Sequence, residues 1–404
     1  MRPRNSFGVR ALGIIGLGLM TFLIQPLSAS AQTADVIRFG ASLPLTGALA
    51  TYGKRVKDGY DFYARHVNDL GGIDISGKKY KVSITYYDDE SKTDTALKLY
   101  EKLITEDGIK YLLGPYGSGA SMPVTALAER NRLPIVIAHG ASTPIYTRGF
   151  KYVFGTLNVI DQYTDQIVRM ASENNLKRLA LINENALFAQ LGIDAAAGQA
   201  KKYGMEVVYK ENFPNPIADF SSQLIKIKEA KPDLIIAGGY NAGMLLLAKQ
   251  IKEVGVSTKL LGFLLGPTDP NFIPSLKEAA ENTLEPVQWT PNAPWKDSIF
   301  GYTAMEFARE FEKEAGYWPD YHPPQSVAAL EVYHHAFQKA GSLDPQKVRD
   351  AIETTDIMTL YGPVRFNNLG ENIGKSMSVV QVQDGKTVVV YPIKEAEAKL
   401  RLNN

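Results

Sequence analysis

Between an apolar triplet and an amphipathic stretch the chain reads Gly114-Pro-Tyr-Gly-Ser-Gly-Ala-Ser121. Glycines let a backbone approach a ligand closely, and the free N–H groups of a first helical turn attract a carboxylate or another anion. Ser118 and Ser121 would add hydroxyl donors, and Tyr116 an aromatic wall. The same residues also suit an ordinary serine-capped turn, so the run gains meaning from its company. His139-Gly-Ala-Ser-Thr-Pro144 is a second small, polar loop after a second apolar run, and it contributes His139, Gly140 and Ser142. Gly238-Gly-Tyr240 ends a later apolar run and opens a helix, while Asn185-Ala-Leu-Phe188 occupies the equivalent place after Ile182. Tyr240 offers an aromatic face with a hydroxyl, and Phe188 apolar contact. Polar loops that each follow a strand gather at one end of a sheet, where open α/β proteins collect their ligands.

Patterns for bond-breaking chemistry fit poorly. A nucleophile elbow needs glycine two residues either side of its serine, and Ser118 has Tyr116 and Ala120 there. Neither a phosphate-binding G-x-x-x-x-G-K-[ST] loop nor an H-E-x-x-H helix is present. His334 and His335 would point about 100° apart on a helix and not toward one metal. Asp88-Asp-Glu90 reads as a solvated loop. The expectation is a binding protein, with no catalytic residue, metal or cofactor.

The elements that must position these loops follow from periodicity. Val36-Ile-Arg-Phe-Gly-Ala-Ser-Leu43 reads as a strand, and Val56, Tyr60, Tyr63, Val67 and Leu70 make one apolar helical stripe ended by Gly71-Gly72. Strands at 80–87, 111–113 and 134–138 follow, with helices between them. A second series has strands at 179–182, 205–209, 234–237 and 260–263, with helices near 193–202, 220–230 and 244–254. Strands alternating with helices imply parallel sheets, and two such series imply two similarly built lobes. Asp384-Gly385 between two β-rich runs predicts a hairpin with a type I′ turn.

The N-terminus predicts the compartment. Arg2, Arg4 and Arg10 precede an apolar run at 11–24, and Ala29-Ser-Ala31 supplies the small residues of a cleavage site. The run is shorter than the ~20 residues needed to span a bilayer, so 1–31 reads as a signal peptide cleaved after Ala31. Removing three arginines and no acid takes the net charge from +1 to −2, which gives no reason to expect nucleic acid as a partner. The chain has no cysteine, hence no disulfides and no thiol for a lipid anchor. The expected location is the periplasm.

In order along the chain, Phe39-Gly-Ala-Ser-Leu-Pro-Leu-Thr-Gly47, Gly71-Gly72, Tyr87-Asp-Asp-Glu-Ser91, Gly114 to Ser121, Pro134, His139 to Pro144, Gly238-Gly-Tyr240, Gly362-Pro-Val-Arg-Phe366 and Asp384-Gly385 carry a resemblance. Together they resemble the periplasmic leucine/isoleucine/valine-binding family, the substrate-binding proteins of branched-chain amino acid ABC transporters. The resemblance implies the type I periplasmic-binding-protein fold, an α/β architecture of two doubly wound parallel-sheet lobes with three hinge crossings. Lobe one would combine 36–157 with 288–357, and lobe two 158–287 with 358–404.

By the same resemblance, Ser118, Gly140 and Ser142 match groups that hold a ligand's α-carboxylate and amine. Phe188 falls where a tyrosine often sits, and Tyr240 matches the aromatic of lobe two. One position departs from the family pattern. Where amino-acid binders place an acidic partner for the ligand ammonium, spacing from Tyr240 puts Leu264. Either Asp269 or Glu184 substitutes, or the ligand lacks an amine and is a carboxylate with an apolar or aromatic body. The implied partners are that small molecule, a neutral amino acid or an amine-free carboxylate, and an ABC permease in the inner membrane, with the protein acting as a monomer. A ligand-sensing module for a signalling partner and a secreted hydrolase are the alternatives.

Overall fold

The computed structural model describes residues 35–403, so the leader expected at 1–31 lies outside the described residues. Two sheets carry the architecture. The first has six strands: β1 (Val36–Leu43), β2 (Ile73–Ile75), β3 (Lys78–Asp88), β4 (Tyr111–Leu113), β5 (Ile135–Ile137) and β6 (Val153–Gly155), in the order β2-β3-β1-β4-β5-β6. All its pairings are parallel except the short β2–β3 hairpin. Helices α1 (Ala50–Asp69), α2 (Thr93–Thr105) and α3 (Ser118–Arg130) connect these strands. The stripe of α1 is buried as its spacing predicts, with Val56, Tyr60, Tyr63 and Val67 at 1% exposure or less. Leu70, expected to complete that stripe, lies one residue past the helix end and is exposed, because the chain turns away at Gly71-Gly72.

The second sheet has seven strands. Its parallel core is β7 (Arg178–Glu184), β8 (Glu206–Phe213), β9 (Leu234–Gly238), β10 (Leu260–Phe263) and β11 (Thr283–Val287). β12 (Asp356–Thr359) and β13 (Gly362–Arg365) form a separate ribbon. β14 (Ser378–Gln383) and β15 (Lys386–Tyr391) add antiparallel to β11, giving the order β15-β14-β11-β10-β9-β7-β8. Asp384 and Gly385 both take positive φ between β14 and β15, as a type I′ turn requires. On this side the helices that matter below are Leu187–Lys202 after β7 and Asn241–Val254 after β9.

Each sheet reverses its winding beside its first strand. From β1 the chain moves outward to β3, then returns to β4 on the other flank; from β7 it moves to β8, then returns to β9. Connections leaving such a reversal diverge to opposite faces and leave a crevice at the strands' carboxyl ends. The turns after β1, β4, β7 and β9 border those crevices.

Three crossings link the two halves, and side chains lace them together. Gln288 Oε1 accepts from Asn158 N at 2.7 Å, Asn158 Nδ2 donates to Lys375 O at 2.9 Å, and Lys375 Nζ donates back to Gln288 O at 2.7 Å. The return segment carries three helices onto the outer face of the first sheet, Ala304–Ala315, His322–Ala340 and Pro345–Glu353, where Phe307, Phe311, Tyr333 and Phe337 share a core with α1. One boundary differs from expectation. The stretch 360–372, expected with lobe two, packs on the first sheet: Leu360, Tyr361, Val364 and Phe366 join its core, Phe366 packs on Phe154, and Gly155 N bonds to Gly370 O. Apolar burial, not sequence order, draws the ribbon there, and the third crossing falls near Lys375.

Candidate functional site

The four turns at the two reversals meet face to face. Tyr52 of α1 stacks on Tyr116 at 5.0 Å between ring centroids, and Tyr240 approaches both, at 5.9 and 6.4 Å. Phe188 extends the belt to Tyr240 at 6.3 Å and to Tyr163 at 5.7 Å. Tyr116, Tyr163, Phe188 and Tyr240, with Ser118, His139, Leu265, Tyr321 and Gln325, line a cavity of about 30 Å³, room for roughly two waters. A second hollow, about 220 Å³, shares Tyr116, Gly117 and Tyr240 as walls and reaches Asp89 and Lys92. The first hollow as it stands is too small for an organic ligand.

Ser118 begins α3, preceded by Gly117 at φ +85. A side chain at Gly117 would be strained, and its Cβ would sit 3.3 Å from the Tyr240 hydroxyl. Ser118 Oγ accepts from Ser142 N at 3.1 Å, which leaves its own proton free to donate beside the unpaired N–H groups of the first turn. Ser142 is fully buried, and its Oγ has no partner among the described residues. Gly140 acts from behind: a Cβ there would come within 2.6 Å of Ser121 Oγ, and its carbonyl accepts from the Tyr146 hydroxyl at 2.8 Å. Neither Gly140 nor Ser142 contributes to the cavity wall, whereas Ser118, Tyr116, His139, Phe188 and Tyr240 all do.

Leu264, expected at the site, faces the other way. Its side chain lies over Gly192 and Gly238, where any Cβ would meet its Cδ1 at 2.6 and 3.0 Å. The neighbouring Leu265 reaches the cavity instead. Both acids considered as ammonium partners are engaged elsewhere. Glu184 accepts from Tyr240 N at 2.9 Å and Asn215 Nδ2 at 2.7 Å, and so shapes the Tyr240 turn. Asp269 accepts from Arg55 Nη1 at 2.6 Å, Asn241 Nδ2 at 2.5 Å and Asn271 N at 2.8 Å.

Arg55 sits on α1 and also bonds Asp320 at 2.8 Å, so one buried guanidinium joins an acid from each half of the molecule. Burial opposes the ionisation of Asp320, but His322 and Arg55 beside it outweigh that and hold its carboxyl below the usual range. Glu285 lies nearby with its oxygens on Thr268 N and Oγ1. Burial pushes its carboxyl up to about 8, against the Thr268 bonds and with Asp320 and Asp269 adding to the rise. It is therefore uncharged at neutral pH. Because the folded value exceeds the ordinary ~4.3, the fold is favoured by this group below that pH and loses the advantage as pH rises toward 8. Glu285→Gln should accordingly flatten the decline of Tm between pH 5 and 8 measured by calorimetry; an unchanged slope would show that Glu285 ionises freely.

Asp88-Asp-Glu90 is a structural loop in part. Asp88 accepts from Leu45 N and Thr46 N at 3.0 and 3.1 Å, and Asp89 is buried, with its carboxyl raised to about 6 by burial against bonds from Ser91 N and Ser42 Oγ. His334 bonds Tyr63 inside the first core. Tyr52, Tyr163, Leu265, Tyr321 and Gln325 were not singled out from sequence. An aromatic beside Gly53 at the start of a helix that follows a strand was a usable signal for Tyr52.

Residues 36–387 match the family described as periplasmic binding protein. The Leu/Ile/Val-binding protein homolog 3 of Brucella melitensis is 27% identical over 365 residues, covering 89% of this chain and 95% of its own length. A leucine binding protein from Thermotoga maritima superposes with a TM-score of 0.78 at 21% identity, covering 88% of this chain and 97% of its own. An ABC transporter solute binding protein from R. palustris, solved with benzoate, gives 0.75 at 19% identity, covering 88% and 95%. The type I fold implied by the resemblance is thus the fold adopted, and with the match running through both sheets the chain belongs to the periplasmic binding protein family.

Proposed function

We propose that the protein captures an amine-free aromatic carboxylate between its two lobes and delivers it to an ABC permease in the inner membrane. The observation that carries this reading is the composition of the cavity wall: among the described residues lining it there is no carboxylate, and five of its side chains are Tyr116, Tyr163, Phe188, Tyr240 and Tyr321. An ammonium closed in beside them without a counter-charge would cost several kcal/mol. Asp269, Glu184 and Glu285, the nearby acids, are each held by other donors. A carboxylate fares better. Ser118 offers its hydroxyl and the N-terminus of α3 its free N–H groups, and aromatic rings suit a flat, apolar body.

The mechanism is capture without chemistry. With the lobes apart, the first sheet's turns hold the carboxylate; closure then brings Tyr240 and Phe188 over the ligand and expels water. Binding selects the closed state because only that state contacts the ligand from both sides. Ser118 Oγ receives the Ser142 N–H and no imidazole, which supports a binding role over a hydrolytic one. We take the hinge to run through Asn158, Gln288 and Lys375, the signal peptide to end at Ala31 and the mature protein to act as a monomer in the periplasm.

A thermal-shift screen tests the ligand class. Benzoate-like acids at 100-fold excess over Kd should add about 2.7 kcal/mol to stability and raise Tm, while leucine, isoleucine and valine should not. Stabilisation by the amino acids and not by amine-free acids would restore the amino-acid reading suggested by the Brucella relative's name.

A further inference from the structure

Gln325 stands in the first turn of the helix His322–Ala340, is 1% exposed and lines the cavity. Its Nε2 donates to Ala138 O. A carbonyl can only accept, so the amide cannot be flipped. Its Oε1 is left buried with no protein donor.

One neighbour on the same wall is arranged alike. Ser326 Oγ donates to His322 O at 2.9 Å, so its contact with His139 Nε2 at 2.8 Å must be one in which the imidazole donates. Burial, with His322 close by, keeps the His139 ring neutral, and Nδ1 is then an acceptor. His322 Nδ1 faces Asp320 Oδ2 at 2.9 Å, and its Nε2 lies 3.3 Å from the Tyr116 hydroxyl. Gln325 Oε1 and His139 Nδ1 are thus acceptors contributed by this helix and its contacts, whereas the turn at Ser118 offers donors.

We infer that the ligand carries a neutral hydrogen-bond donor, a ring hydroxyl, which Gln325 Oε1 accepts while the carboxylate lies at Ser118. This rests on the aromatic-carboxylate reading above and narrows it to hydroxylated aromatic acids. An ammonium would also donate, but it would bring an unpaired charge into the enclosure.

The test is titration calorimetry with benzoate, its three hydroxy isomers and the matching fluoro acids, which keep the size and lack the proton. At least one hydroxy isomer should bind about tenfold tighter than both benzoate and its fluoro counterpart. In Gln325→Met that ratio should fall to about threefold or less; the ratio is read because loss of the amide also unpairs Ala138 O for every ligand alike. If the variant does not fold, the hydroxy-to-fluoro ratio in the native protein decides. Equal binding of hydroxy, fluoro and parent acids would overturn the inference and leave the aromatic-acid reading standing. Failure of all these acids, with stabilisation by leucine, would remove that reading and the inference with it.

Discussion

Arg55→Met is expected to destabilise the protein by about 3–5 kcal/mol, the cost of leaving buried charge without its partner, and to lower Tm by about 5–10 °C. The side chains of Arg55, Asp269 and Asp320 are 5%, 5% and 1% exposed. Methionine fills the space but leaves two carboxylates with only neutral donors and His322 around them. The sign of the pH dependence is fixed by Asp320. Its folded carboxyl lies below the ordinary range, so the stability it contributes is present above about pH 4 and is lost as pH falls through the folded value. The gap between native protein and variant should therefore narrow in acid. Equal Tm values at pH 7 would mean the cluster contributes nothing. Asp269→Asn is the informative companion, because Arg55 keeps Asp320 within its own half. Asn keeps an oxygen for the Asn241 and Asn271 donors but loses the charge that Arg55 meets across the cleft, and the expected result is weaker ligand binding with little change in the unliganded Tm.

What was legible in the sequence, and what was not, divides along the range of the interactions. Tyr116, Ser118, His139, Phe188 and Tyr240 were accessible because each follows an apolar run that had to be a strand, and strands in parallel sheets send their carboxyl ends the same way. The β14–β15 hairpin was accessible because Asp384-Gly385 demands positive φ locally. Gln325 and Tyr321 were not, since their place depends on a helix that returns to the first sheet about 165 residues after that sheet is complete at Gly155; nothing near them in sequence marks that docking. Leu264 illustrates a finer limit. Spacing located the right turn, yet successive residues leave a strand end toward opposite sides, and a shift of one residue exchanged the core-facing Leu264 for the cavity-facing Leu265. The 360–372 ribbon differs for a third reason: the expected division puts its partners, Phe154 and Gly155, in lobe one and the ribbon itself in lobe two, and burial is invisible to an order-based division.

Tyr240→Ala should weaken ligand binding by on the order of 100-fold, about 3 kcal/mol. The ring loses its burial, worth about 1.5–3 kcal/mol for a large side chain, and its edge and stacking contacts with aromatic neighbours, worth about 0.5–1.5 kcal/mol. Those neighbours, Tyr52 and Tyr116, lie in the other half of the molecule, so the contacts exist only when the lobes are closed. With the lobes apart the unliganded protein makes none of these contacts across the cleft, so its Tm should stay within about 2 °C of the native value. Tyr240→Phe separates ring from hydroxyl. The hydroxyl packs near Gly117 and has no protein hydrogen bond among those described, so this variant should retain affinity within about threefold. Dissociation should carry the effect, because truncating a contact made after docking speeds escape more than it slows encounter. Unchanged affinity in Tyr240→Ala would place the ligand outside the aromatic belt, and the cavity between the two sheets would then have to be a packing defect of closure, not the seat of the ligand.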